Sequence, residues 1–214
     1  KEFFAVSASE IAAAPTASVR KRMISALETE DEELWTDYRD AVRHQAEFGL
    51  FIRKSGRYPR TGKGKPNFYA IFAELIDGLM SSAGRSGVVL QTAIATDDNT
   101  KDFFRYLLEN ERLVSLHGFE NRRGMFPIHR SFKFALVTLT GAETPCSEPR
   151  FIFGALDITE LTDPARSFTL NKSDLDLLNP NTGNAPLFPN RRTAELVKAV
   201  HRRVPHLIRE KPTT

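Results

Sequence analysis

A chain of 214 residues with 41% hydrophobic and 27% charged residues is long enough for one large core or two small domains, in the ordinary composition range of soluble globular proteins. No apolar run approaches the ~20 residues that span a bilayer, Lys1-Glu2-Phe3-Phe4 has no signal-peptide character, and the lone Cys146 excludes an internal disulfide. With no Cys/His spacing that suggests zinc, a reducing cytoplasm is the expected setting. The formal net charge of +3 is small, but Arg and Lys gather in three segments, Arg53 to Lys65, Arg122 to Lys133 and Arg191 to Arg203.

The first 55 residues read as helical. Pro15 and Thr16 open a helix through Glu28, and a second starts near Asp31, with Leu34, Tyr38, Val42, Gln45, Gly49 and Ile52 along one face and Trp35 beside it. Ser55 to Pro66 is rich in Gly, Pro and cations and must be a loop. Asn67 then serves as N-cap of a helix whose Phe68, Ile71, Phe72, Leu75, Ile76 and Leu79 form one stripe, ended by Gly84. Gly87 to Ile94 is an apolar run of buried-strand type. Asp98 or Thr100 caps a helix with Phe103, Phe104, Leu107 and Leu108 inward. Leu113 to Phe119 and Ser131 to Thr140 read as strands. Gly141 to Pro149 is loop-like, Arg150 to Leu156 is a further strand, and Asn179 to Gly183 is a turn cluster. Asn190 caps a closing helix that carries Leu196, Val197, Val200 and Val204. The alternation of helix and strand is that of a doubly wound α/β sheet.

Several of these segments carry a resemblance. Asn67, Phe68, Tyr69, Phe72 and Glu74 open the third long helix, Ile94-Ala95-Thr96-Asp97-Asp98 follows a strand, and Gly124-Met125-Phe126-Pro127 precedes the last strand of the block. Together Asn67 to Gly141 resembles the carboxyl-terminal half of the catalytic domain of bacterial adenine-N6 DNA methyltransferases, in the branch of type IIG restriction–modification and phage-defence methylases. The resemblance is strong over about a third of the chain and thin elsewhere. It implies a partial Rossmann-like, S-adenosylmethionine-dependent methyltransferase fold: the last three strands, a mixed sheet and flanking helices. Residues 1–66 resemble a helical insertion with its basic loop, 67–141 the half-core, and 142–214, with Asn179 to Gly183 and Arg202-Arg203-Val204-Pro205, a linker toward a target-recognition domain.

No Gly-rich cofactor loop and no Asn-Pro-Pro-aromatic tetrapeptide occurs in the 214 residues. The resemblance therefore implies half of an enzyme, with Lys1 just downstream of the missing tetrapeptide and S-adenosylmethionine bound by the complete enzyme, not by this chain alone. It departs from many relatives at Thr92-Ala93, where they carry a Pro.

An adenine amine inside a duplex is out of reach, so the base must be flipped and held by stacking and edge hydrogen bonds. In the family one aromatic sits in the Asn-Pro-Pro motif, and a second, in a Phe-Pro step, covers the other face of the base. Phe126 matches the second. Read on composition alone, Phe126 is one of 16 Phe and a core residue; the resemblance reverses that. Asn67, Tyr69 and Phe72 match the helix opening beside the cofactor pocket, where backbone N–H groups face polar ligands; as plain residues they cap and pack. Arg122, Arg123, His129, Arg130 and Lys133 surround Phe126 as phosphate contacts, against the plainer reading of a solvated loop. Asp97 and Asp98 are expected to cap a helix, and His117, His201 and His206 to be structural.

The expected partners are double-stranded DNA and the missing half. Val88 to Ile94 would otherwise be an open strand edge, to be covered by a second copy or by the helices from Ala17 to Ile52. Two further possibilities stand beside a methyltransferase fragment: a DNA-binding or assembly subunit that completes a methylase in trans, and an inactive folded remnant.

Overall fold

The computed structural model describes residues 2–204. His206, Pro205 and Lys1 lie outside the described residues. The chain divides into two compact units, Lys1–Arg57 and Tyr58–Thr214.

The first unit is helical: α1 (Glu2–Ser7), α2 (Ser9–Ala12), α3 (Ala17–Glu30) and α4 (Glu32–Lys54). The two long helices begin where their caps dictate. The Thr16 side chain accepts the Val19 N–H at 3.2 Å, and Asp31 accepts that of Leu34 at 3.0 Å. Phe4, Ile11 and Leu27 are buried together, with Trp35 and Tyr38 of α4 packed against them. The Arg20 guanidinium closes the preceding turn by donating to the carbonyls of Ile11 and Ala14, each at 3.1 Å.

The second unit is a five-stranded mixed sheet with helices packed on it. Its elements are α5 (Phe68–Leu79), β1 (Arg85–Gln91), α6 (Ala93–Thr96), α7 (Lys101–Glu109), β2 (Leu113–Glu120), β3 (Lys133–Thr140), β4 (Arg150–Ala155), β5 (Phe168–Thr169), α8 (Lys172–Leu178) and α9 (Arg191–Arg203). The strand order is β1-β3-β2-β4-β5. β3 runs antiparallel to both β1 and β2, so these two point the same way and α7 connects them. The β2–β4 pair is parallel, and β5 is antiparallel to β4. β1 ends the sheet, with Val89 56% exposed.

Along β3 the pleat divides the side chains cleanly. Ala135, Val137 and Leu139 enter the main core, whereas Phe134 and Leu136 belong to a smaller cluster with Phe119 and Ile152. All five helices α5 to α9 place buried side chains in the main cluster: Ala70 and Ala73, Ile94, Phe103 and Phe104, Leu175, and Ala194 among them. The mixed α/β sheet with flanking helices matches the expected class. Within the second unit the arrangement differs from a doubly wound sheet, because helices α5 to α9 share one core and the other cluster of the unit is the smaller one around Phe119 and Phe134.

Several boundaries differ from expectation. The strand expected over Gly87 to Ile94 stops at Gln91, and Ala93 to Thr96 turn into a helix instead. Asn67 occupies the N-cap of α5 but makes no side-chain cap bond. Neither Asp98 nor Thr100 caps α7 through its side chain: Asp97 accepts the Asn99 N–H at 2.9 Å, and the Thr100 hydroxyl donates to the Ala93 carbonyl at 2.9 Å. Beyond Gly141 more is regular than the pattern suggested, for β5 and α8 join β4 and α9 in the main core.

Two helices turn an unexpected face inward. On α5 the buried residues are Ala70, Ile71, Ala73, Glu74 and Asp77, while Phe68, Phe72 and Leu79 are more than half exposed. On α9 Ala194 and Lys198 are buried, whereas Leu196, Val200 and Val204 are exposed. Gly141 fits one place where backbones meet closely: a Cβ there would run into the Ser82 carbonyl. Among the described residues no helix is long and apolar enough to cross a membrane.

Candidate functional site

Between β2 and β3 the chain makes one loop, and the loop is built around a buried amide. Asn121 directly follows β2 and has no exposed surface. Its side-chain oxygen accepts the Phe126 N–H at 3.0 Å, and its Nδ2 donates to the carbonyls of Phe126 at 3.0 Å and Ile128 at 3.2 Å. Its backbone N–H donates to the Phe132 carbonyl at 2.9 Å, closing the loop at its base. Gly124 supplies the left-handed turn, at φ 73°, that brings Phe126 back over Asn121. One carboxamide thus satisfies backbone groups at two loop positions and fixes the aromatic between them.

Phe126 is 40% exposed, which sets it apart from the core Phe residues. Its ring meets Phe134 edge to face, with centroids 4.9 Å apart, and Phe134 lies stacked on Phe119 at 5.2 Å. A three-ring ladder therefore rises from the smaller cluster of the sheet to the loop surface. Met125, Ile128 and Phe132 on the same loop are also 41–50% exposed.

The expected phosphate-contact residues are all on or beside this loop. Three of their charges already have carboxylate neighbours: Arg122 and Lys133 pair with Glu120, and Arg123 pairs with Asp157 at 3.3 Å. These cations are each more than half exposed, so such pairs hold little free energy. Hydrogen bonds from Thr159, with a smaller contribution from Arg123, keep the Asp157 carboxyl below its usual range. The Arg130 guanidinium donates to the Arg122 carbonyl at 3.4 Å, and His129 Nδ1 accepts the Ser131 N–H at 3.2 Å.

Asn67 and Tyr69 come together elsewhere, in a pocket of about 220 Å³ that Lys65, Asp97, Asn99 and Thr100 help to line. Burial, and then the nearby Asp97 carboxylate, push the Tyr69 phenol above its ordinary value. Phe72 is not part of this lining and stands 54% exposed.

The residue pattern did not disclose two acceptors. Asn121 was absent from the expected site, although an Asn closing a strand three residues before a Gly is a usable turn signal. Glu74, known from the sequence only as part of a motif, is a buried anchor. It accepts the backbone N–H groups of Arg60 and Thr61 at 3.2 and 2.9 Å and the Thr61 hydroxyl at 2.7 Å. Arg60, so held, lies 3.5 Å over the Tyr106 ring. The basic loop is thereby tied to α5 and α7.

No family model matches this sequence, and no curated protein matches it. Among solved structures, the type IIG restriction endonuclease BpuSI is similar over 49% of this chain, at 19% identity and a TM-score of 0.37. This chain spans 12% of the length of that one. The likeness is a distant one and carries no activity across.

Proposed function

We propose that this chain is part of a site-specific DNA methyltransferase that transfers a methyl group from S-adenosylmethionine to adenine N6, in a restriction–modification or phage-defence setting. The observation that carries the reading is the state of Phe126: a ring two-fifths exposed, backed by Phe134 and Phe119 and locked in place by a fully buried Asn121. A core residue needs no exposed face, and a mobile surface residue needs no such bracing. A stacking platform needs both, and stacking a base on an aromatic is worth ~1–3 kcal/mol. In this reading Arg122, Arg123, His129, Arg130 and Lys133 hold phosphates beside the flipped base and add affinity without sequence preference.

The Asn67–Tyr69 pocket does not make a cofactor site alone. Its 220 Å³ falls below the ~300 Å³ at which small-molecule sites begin, so it accommodates part of S-adenosylmethionine at most. The rest of the site belongs to the half of the enzyme that carries the Asn-Pro-Pro motif, and the β1 edge is the place for that half, or a second copy, to join the sheet.

The test is made in the reconstituted enzyme, with 2-aminopurine at the target position of a duplex. Phe126→Ala is expected to reduce the fluorescence rise of base extrusion several-fold while total DNA affinity stays within about twofold, since stacking contributes only after flipping. Equal loss of flipping and binding would return Phe126 to a packing role.

A further inference from the structure

A pocket of about 270 Å³ opens at the carboxyl ends of the parallel strands β2 and β4, the end of an open α/β sheet at which ligands bind. Phe153 and Phe188 give it aromatic walls, and Thr92, Glu120, Lys133 and Arg166 supply its polar groups. Past Thr92, Lys133 and Leu187, which line both, it adjoins a second hollow of about 390 Å³. The joined space exceeds the ~300 Å³ at which small-molecule sites begin. The 187–189 segment in the lining is held on both sides. Before it the Ala185 N–H donates to the Ala95 carbonyl at 2.8 Å, and after it the Arg191 N–H donates to the Ala165 carbonyl at 2.9 Å. Phe188 itself meets Phe168 edge to face, with centroids 5.7 Å apart.

Two polar groups of this lining lack partners. The Thr92 hydroxyl is buried without a hydrogen bond among the described residues, and so is Nε of Arg166. Arg166 is nevertheless fixed in place: its Nη2 donates to the Phe153 carbonyl at 2.9 Å and lies 3.3 Å from the Glu160 carboxylate. Buried polar groups are satisfied as a rule, so unmet donors beside a hollow call for an acceptor within it. Charge decides which acceptor. Two cations, Lys133 and Arg166, line the pocket against one carboxylate, Glu120. The outer partners, Arg122 on Glu120 and Glu160 on Arg166, cancel each other and leave one positive charge.

We infer that this pocket binds a small, flat aromatic monocarboxylate, its ring against Phe153 and Phe188 and its carboxylate accepting from Arg166, with Lys133 and Thr92 as further donors. A phosphate dianion would overcompensate the single charge and press against two phenyl walls, whereas an uncharged ring would leave the guanidinium donor unmet. The site is independent of the DNA reading, in which neither Arg166 nor Thr92 takes part.

Ligand-observed NMR titration of the chain with 2-naphthoate tests this, with 2-naphthamide as the uncharged match. The acid is expected to bind with a dissociation constant below about 1 mM, the range of a small ligand of modest efficiency. The amide is expected to bind at least ~10-fold more weakly, the effect of losing a charge-assisted hydrogen bond. Arg166→Gln is expected to bring the two affinities within about twofold of each other, and Arg166→Lys to keep part of the preference. A residue that only braces the fold would weaken both compounds alike. Leu187→Asn, at a position 54% exposed, is expected to weaken both several-fold through lost apolar contact, and it serves if the Arg166 variants fold poorly. No binding of the acid at about 1 mM, equal binding of acid and amide, or a preference that survives Arg166→Gln overturns the site, as do affinities untouched by Leu187→Asn.

Discussion

At the scale of single residues, the candidate site depends on Asn121 more than on any residue that would touch DNA. Its amide is the only element of the loop that both donates and accepts at Phe126. Asn121→Asp keeps the size and the acceptor but removes both Nδ2 donors, leaving the Phe126 and Ile128 carbonyls opposite a carboxylate. Urea unfolding is expected to show a loss of about 1–3 kcal/mol, the usual cost of a buried polar group without its partner. A loss below about 0.5 kcal/mol would mean the loop does not depend on this clamp. The Gly124-Met125-Phe126-Pro127 step stands out in the sequence through resemblance. The clamp does not, because nothing local announces that an Asn at a strand end turns its amide inward.

At the scale of elements, capping made α3 and α4 readable, since Thr16 and Asp31 mark their starts with short-range bonds. Ile71 and Val197 turn inward as expected, and the rest of the inward faces of α5 and α9 differ from the apolar stripes for one physical reason. Periodicity assumes that the largest apolar side chains are buried, but here small residues allow close packing and the accompanying charges find distant partners. Glu74 is satisfied by Arg60 and Thr61, and Lys198 lies 3.6 Å from Asp174. Arg60, Thr61 and Asp174 are not visible in a helical wheel, although Lys198 also pairs at 2.8 Å with Glu195 on its own helix. β5, at two residues, is too short to show a period, and α8 opens on a capping box of Asn171 and Asp174 in place of the commoner Ser/Thr and Glu.

Strand β2 makes a prediction of its own. His117 is half-buried, paired across the sheet with Leu136 and Ile152, and burial, aided by Arg150, lowers its pKa from the ordinary 6.5. The unfolded chain therefore binds this proton more readily than the folded one. The stability tied to neutral His117 is complete above pH 6.5 and is lost as the pH falls below it toward the lowered folded value. His117→Gln is expected to flatten the decline in melting temperature between neutrality and the acid side of that window. An unchanged slope would assign the decline to other groups.

At the scale of the whole molecule, the open mixed sheet of the second unit holds a basic loop between β2 and β3 and a small polar pocket beside α5. The α/β class was legible because each of the strands β1 to β4 holds a short apolar stretch, such as Val88-Val89-Leu90 in β1 and Phe151-Ile152-Phe153 in β4. The topology was not, since nothing in the order of elements says that β3 inserts between β1 and β2. The central claim is adenine methylation, and mass spectrometry of hydrolysed DNA tests it most directly. DNA from cells expressing a protein that unites this chain with the proposed cofactor-binding half is expected to contain N6-methyladenine, and the modification is expected to fall at least ~10-fold with Phe126→Ala, the loss of one stacking partner. Unmodified adenine with an intact protein, or methyl groups on cytosine alone, would contradict the account.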